Sequence, residues 1–234
     1  MIASMVKGIL SDVDGTLVDS NDYHADARQE AFRDFGVDLS WQAIRRQIGK
    51  GGDQLIPSFL SPEQISSFGE KIEQKKDRIF KQNYLGKVRG FSGVQPLFER
   101  LRQDKKNIVL ATSGGTEEIE YYTGLLGIGK WIEGWVTSDD VARSKPHPDL
   151  FHIALDRFQL KTDEVVILGD SPYDVVAGKK IGLTALAVLT GGFTKELLQE
   201  AGAAEIYKDL PALLEGYDHS CLGLNHQRRV GDGG

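Results

Sequence analysis

The chain has 234 residues, 40% of them apolar and 26% charged, a balance that suits a soluble globular protein with one large domain or one domain carrying an insertion. A net charge of −6 argues against a nucleic-acid footprint or an anionic membrane surface as partner, and nothing marks a protein partner. Cys221 is the only cysteine, which excludes an intrachain disulfide and a cysteine-based zinc cage.

The opening "MIASMVKGILSD" is too short in apolar residues for a secretory signal, and no run approaches the roughly twenty apolar residues of a membrane span. A cytoplasmic location is therefore expected. Val6–Ser11 is the first expected strand. It ends abruptly in the acids of "DVDGTLVDS", where Asp12 and Asp14 stand two residues apart before Gly15. Like charges this close repel, so a cation must join them or one of them must react.

From about residue 19 to 90 the pattern turns helical, without a convincing strand. Ser61, Pro62 and Gln64 form a capping-box signature. Ile65, Phe68, Ile72, Ile79 and Phe80 then fall on one helical face. We read 19–90 as a helical insertion, with Gly86 and Gly90 as hinge material near its return. Arg45 and Arg46 read as a solvated helix face.

The rest alternates. Strands are expected at Asn107–Thr112, Gly134–Thr137, Val165–Leu168 and Thr184–Val188. Helices are expected at Gly93–Gln103, Thr116–Leu126, Pro148–Phe158, Pro172–Lys180 and Thr194–Ala201. Several strands are apolar on consecutive residues, as in a parallel sheet covered on both faces. The fold class is thus α/β, a Rossmann-like core made of 1–18 and 91–217. The stretch 218–234, "DHSCLGLNHQRRVGDGG" from Asp218, lacks periodicity and reads as a frayed tail.

In an open parallel sheet, ligands bind at the carboxyl ends of strands. Four segments are placed there. "DVDGT" offers paired carboxylates. "VLATSGG" offers the hydroxyls of Thr112 and Ser113 and the backbone of Gly114 just before a helix, a setting for an oxyanion. "SKPHPDLF" offers Lys145. "GDSPYDVVAG" offers Asp170, with Asp174 one helical turn along. Carboxylates without cysteine suit a hard cation such as Mg²⁺, and lysine with hydroxyls suits a transferring phosphoryl group. A carboxylate can itself attack phosphorus.

These four segments, in this order, resemble the four motifs of the haloacid dehalogenase-like superfamily. The insertion resembles the helical cap of its phosphoglycolate phosphatase and β-phosphoglucomutase branch. The resemblance implies a phosphatase acting on a small phosphorylated metabolite, phosphoglycolate or a sugar phosphate, with Mg²⁺ as cofactor. It implies Asp12 as nucleophile, Asp14 as acid and base, Thr112 with Ser113 and Gly114 as phosphoryl contacts, and Lys145 as charge balance. Asp12, the Asp14 carbonyl, Asp170 and Asp174 are the implied metal set, Asp174 through water or through Lys145. The lesser alternative for Asp174 is an acid that favours its helix N-terminus.

Asp14 argues against dehalogenation, since a halide leaves without a proton. The mutases carry an acid just before the last motif's aspartate, where this chain has Gly169. His24, at a spacing shared with the mutases, is open between a cap hydrogen bond and a substrate or proton-relay contact. Lys50, in "IGKGGDQL", is open between a cap contact to substrate and a solvated loop. The alternatives to hydrolysis are a sugar-phosphate mutase and a non-catalytic phosphometabolite-binding module.

Overall fold

The computed structural model describes residues 6–223. Among these described residues there are eight strands: β1 (Gly8–Ser11), β2 (Val18–Asp19), β3 (Arg89–Gly90), β4 (Asn107–Ala111), β5 (Gly134–Val136), β6 (Val165–Gly169), β7 (Thr184–Val188) and β8 (Glu205–Tyr207). Six of them form one sheet in the order β5-β4-β1-β6-β7-β8, every neighbouring pair parallel. The order runs outward in both directions from β1. The topological switch point therefore lies at the carboxyl ends of β1, β4 and β6.

The strands are buried on both faces, as their continuous apolar runs require. Ile9, Ile108, Leu110, Val166 and Leu168 pack on one face, and Leu10, Val109, Ala111, Val165 and Ile167 on the other. The expected strands and helices of the core are all present, with no end moved by more than two residues. β8 is a short, half-buried edge strand opening on Glu205, so it carries little apolar signal.

The insertion leaves and returns through the antiparallel pair β2–β3, in which Asp19 faces Arg89. These two-residue strands are a correction to the strand-free expectation. Their short length leaves no periodicity to read. Between them lies a helical cap dominated by Asn21–Asp34 and by the run from Pro62 to Tyr84. Ser61 accepts from the Gln64 amide and Gln64 reaches back to the Ser61 amide, which completes the capping box. Two wide π-type turns, Ile65–Gly69 and Phe80–Tyr84, interrupt the run. Ile72, Ile79 and Phe80 are buried, while Ile65 and Phe68 pack at the margin.

Gly90 also lies in close packing, where an added Cβ would strike Leu126 at 2.4 Å. Two further expectations change. Arg45 is no solvated residue: it donates to Asp22 Oδ1 at 2.6 Å and to the Gly191 carbonyl at 2.6 Å, tying cap to core. Residues 218–223 are packed instead of frayed. Ser220 and Leu222 are buried, and the Cys221 amide donates to Glu205. Tyr217 and Leu222 are buried in the core cluster and help dock this turn, which has no periodic pattern. The remainder of the expected tail, 224–234, lies outside the described residues.

Candidate active site

Asp12, Thr112 and Asp170 each follow directly on β1, β4 and β6, so the three central strands deliver them to one point. The turn after Asp14 needs glycine. Gly15 has φ +78°, and a Cβ there would lie 2.2 Å from Asn21 Nδ2 and 2.3 Å from Asp170 Oδ2.

Lys145 is the hub. Its Nζ donates to Asp12 Oδ1 at 2.5 Å and to Asp174 Oδ1 at 2.7 Å, with about 1% of the lysine exposed. Asp174 Oδ2 accepts from Ser171 Oγ at 2.6 Å and from the Ser171 amide at 3.2 Å. Both Asp174 oxygens are thereby engaged. Thr16 Oγ1 lies 3.1 Å from Asp12 Oδ2 and 3.2 Å from Asp170 Oδ1, and Asn21 donates to Asp170 Oδ2 at 2.9 Å.

Burial is the largest influence on Asp12 and pushes its carboxyl well upward. Lys145 opposes this, while Asp174, Asp170 and Asp14 add to it. Asp170 is pushed up to about 7 by burial and then by Asp174, against the Asn21 bond and Lys145. Lys145 is raised because Asp12 and Asp174 together outweigh its own burial. The site thus holds more buried negative charge than one lysine offsets. Oxygens of Asp12, Asp170 and Asp174 lie within 4.8 Å of one another. An all-oxygen, over-acidic buried set fits a hard divalent cation.

Asp14 is treated differently by its surroundings. Burial pushes it up, but the charge and hydrogen bond of His24 and the bond from Ser20 outweigh that and hold it at about 2. Ser20 Oγ and His24 Nε2 lie 2.6 and 3.0 Å from Oδ1, leaving Oδ2 beside Thr112 Oγ1 at 3.3 Å. His24 stacks on Phe80 at 3.9 Å between ring centroids, so a cap helix fixes its plane.

The cap roofs a cavity lined by Asp12, Asp14, His24, Lys50, Ser113 and Gly114. Ser113 Oγ donates to the Gly49 carbonyl at 3.4 Å, and the Gly114 amide donates to Thr112 Oγ1 at 2.9 Å. Lys50 reaches the cavity wall, but its Nζ donates to Gln47 and lies 5.0 Å from the Tyr173 ring centre. All the site residues expected from the sequence are gathered here.

Sequence reading missed Thr16, Asn21, Arg28, Glu73 and Lys76. Thr16, in the first motif, carried a faint signal; the charged cap residues look like solvent-facing helix positions. Arg28 instead makes a two-pronged pair with Glu73 at 2.6 and 2.9 Å. Burial works against Glu73 ionising, yet Arg28 prevails and holds it at about 2 against an ordinary 4.5. A depressed carboxyl contributes stability above its unfolded value and loses it as pH falls through its folded value. The thermal midpoint should therefore fall between pH 4.5 and about 2, and less steeply in Glu73→Gln. Parallel pH curves for the two proteins would refute this.

Gly169 bears on the mutase reading. A Cβ there would lie 2.6 Å from Asp174 Cγ, so an acid at that position would displace the partner of Lys145. No helix among the described residues is long and apolar enough to cross a membrane.

The comparisons agree with this geometry. The chain is similar to a phosphoglycolate phosphatase from Vibrio parahaemolyticus, 26% identical over 217 residues, covering 90% of this chain and 95% of that one. A phosphorylated carbohydrates phosphatase from Thermotoga maritima is 23% identical over 208 residues, covering 87% and 94%. The crystal structure of a hydrolase from Pseudomonas syringae superposes with a TM-score of 0.80 at 30% identity, covering 92% of this chain and 98% of that one. The family model for haloacid dehalogenase-like hydrolases matches residues 9–188. With a parallel sheet, a helical cap and an acid-and-lysine centre at the switch point, the chain belongs to the haloacid dehalogenase-like hydrolases and is a phosphatase of that family.

Proposed function

We propose that the protein is a Mg²⁺-dependent phosphatase that hydrolyses a small-molecule phosphate monoester through a phosphoaspartate on Asp12. The observation that carries this is the Asp12 carboxylate, buried at the cavity floor with one oxygen on Lys145 and the other on Thr16. Such a carboxylate is oriented to attack, and binding alone would not need one there.

Asp12 attacks phosphorus and the ester oxygen leaves with the bond electrons. Asp14, beside the cavity, supplies the proton that oxygen requires, and His24 is placed to pass a proton to Asp14. Asp14 then takes a proton from water as the water attacks phosphorus. The bond to Asp12 breaks, and inorganic phosphate is released. Thr112, Ser113 and Gly114 bind the phosphoryl oxygens, Lys145 balances charge on Asp12, and Asp174 with Ser171 holds Lys145 in place.

Mg²⁺ would be held by Asp12, Asp170 and the Asp14 carbonyl, with Asp174 behind them, and would neutralise phosphoryl charge when bound. The cap excludes bulk water from the attack. A roofed cavity suits a small metabolite.

The test is phosphate release from a panel of small phosphomonoesters with Mg²⁺. Wild type should release phosphate, EDTA should remove the activity, and added Mg²⁺ should restore it. Turnover that survives EDTA would refute the metal role. No release from any ester would refute the phosphatase reading of this site.

A further inference from the structure

The cavity has a phosphoryl end, at Asp12 and Thr112, and a far end that must receive the leaving group. There the cap residues Arg28, Glu73 and Lys76 line its wall. Their charges are paired, although Arg28 Nε is itself buried without a hydrogen-bond partner and can give to an acceptor. Both terminal nitrogens of Arg28 are on Glu73, and Lys76 Nζ donates to Asp77 Oδ1 at 3.1 Å.

Glu118 enters from the core helix Thr116–Leu126. It is 4% exposed, and its Oε2 is buried without a hydrogen-bond partner. Gly114, on the cavity wall, shows where that oxygen points. The position of a Cβ on Gly114 would be 2.9 Å from Glu118 Oε2, 3.3 Å from Thr112 Oγ1 and 3.4 Å from Asp14 Oδ2. Asp14, His24 and Glu118 also present polar atoms within 4.8 Å of one another. Glu118 lines the adjoining outer groove, which shares Glu73, Lys76, Ser113 and Gly114 with the cavity, so the unpartnered oxygen lies near the proposed acid–base residue where the two spaces meet.

A buried carboxylate oxygen without a donor is costly, and substrate can supply the donor. A leaving group bearing a carboxylate brings only acceptors, and it would set like charge against Glu73, which Arg28 keeps ionised, while burial pushes the Glu118 carboxyl upward. A hydroxyl can donate to Glu118 and accept from Lys76, whose ammonium has further hydrogens to give. The outer groove repeats the bias: Asp53, Asp77, Glu117 and Asp139 line it, and its Lys81 is paired with Glu117.

We propose that Glu118 is a specificity residue whose free oxygen accepts a hydrogen bond from a neutral, polyhydroxylated leaving group, so that the substrate class is polyol or sugar phosphates and not phosphorylated carboxylic acids. This rests on the phosphatase reading above.

The test is calorimetric binding to the Asp12→Asn protein in Mg²⁺, which needs no turnover. The probes are glycerol 1-phosphate and 2-phosphoglycolate, similar in size, one bearing hydroxyls and the other a carboxylate. Glycerol 1-phosphate should bind at least about tenfold more tightly. Adding Glu118→Ala should bring the ratio near one. Glu118→Gln, nearly isosteric and still an acceptor, should retain glycerol 1-phosphate binding and weaken the rejection of phosphoglycolate. Equal affinities in the Asp12→Asn protein, a preference for phosphoglycolate, binding of neither, or a preference that survives both Glu118 changes would overturn the proposal. Phosphate release by wild type is read separately. Its absence beside an intact preference would count against hydrolysis and still support Glu118 as the selector.

Discussion

Asp12→Asn should lower phosphate release by at least about 10⁴-fold while leaving the fold intact, because the change removes a nucleophile and almost no volume. The local hydrogen bonds can be rebuilt. The amide oxygen can face Lys145, and the amide nitrogen can donate to Thr16, whose hydroxyl still reaches Asp170. The electrostatics point the same way. Burial and the neighbouring acids resist ionisation of Asp12, so a neutral side chain relieves repulsion in the metal-free protein. Without metal, the variant's melting temperature should equal or exceed that of wild type. Phosphate release near the wild-type rate would remove Asp12 from the reaction. A large drop in melting temperature would show that the assumed repulsion is absent.

Lys145→Met should behave in the opposite way, losing both turnover and stability. It leaves Asp12 and Asp174 buried with no cation between them. Breaking a buried ion pair by removing one partner costs about 3–5 kcal/mol. For a chain of this size that lowers the melting temperature by on the order of 10 °C. The measurement is thermal denaturation in EDTA, where no divalent cation can stand in for the lysine. Adding Asp174→Asn to Lys145→Met removes one of the two stranded charges and should recover part of the stability but none of the turnover. A melting temperature unmoved by Lys145→Met would mean that the carboxylates are neutral in the folded protein, and the charge-balance role would fall with it.

The contrast between these variants follows from how the site is built. Asp12 is one of several acids around a single lysine, so losing an acid eases the balance and losing the lysine breaks it. Asp174 is fixed by Ser171 as well as by Lys145, so the lysine is held from behind by a residue with both oxygens committed. The small residue at Gly169 is what lets Asp174 come this close to the end of β6.

The core was readable from the chain because its signals are local. Val165–Gly169 and Thr184–Val188 are apolar without alternation, which only two-sided burial explains, and Asp170 marks the end of the first. Asp12, Thr112, Lys145 and Asp170 were found as motifs for the same reason: each stands in a short segment whose residue types have a chemical meaning together. Ser61 and Gln64 announced their helix start through a capping pattern that spans four residues.

What only the tertiary structure decided is pairing over long separations. Nothing local to Arg28, Glu73 or Glu118 distinguishes them from solvated helix charges. Their burial depends on how the cap helices pack on one another and on the core, across a separation of 45 residues in the case of Arg28 and Glu73. Arg45 reads as exposed until its guanidinium is seen on Gly191, 146 residues away. The chemistry at the phosphoryl end follows from strand ends that any reader of the chain can locate. The proposed choice of leaving group depends on side chains that cap and core bring together, because a charge's partner in space leaves no mark on its neighbours in sequence.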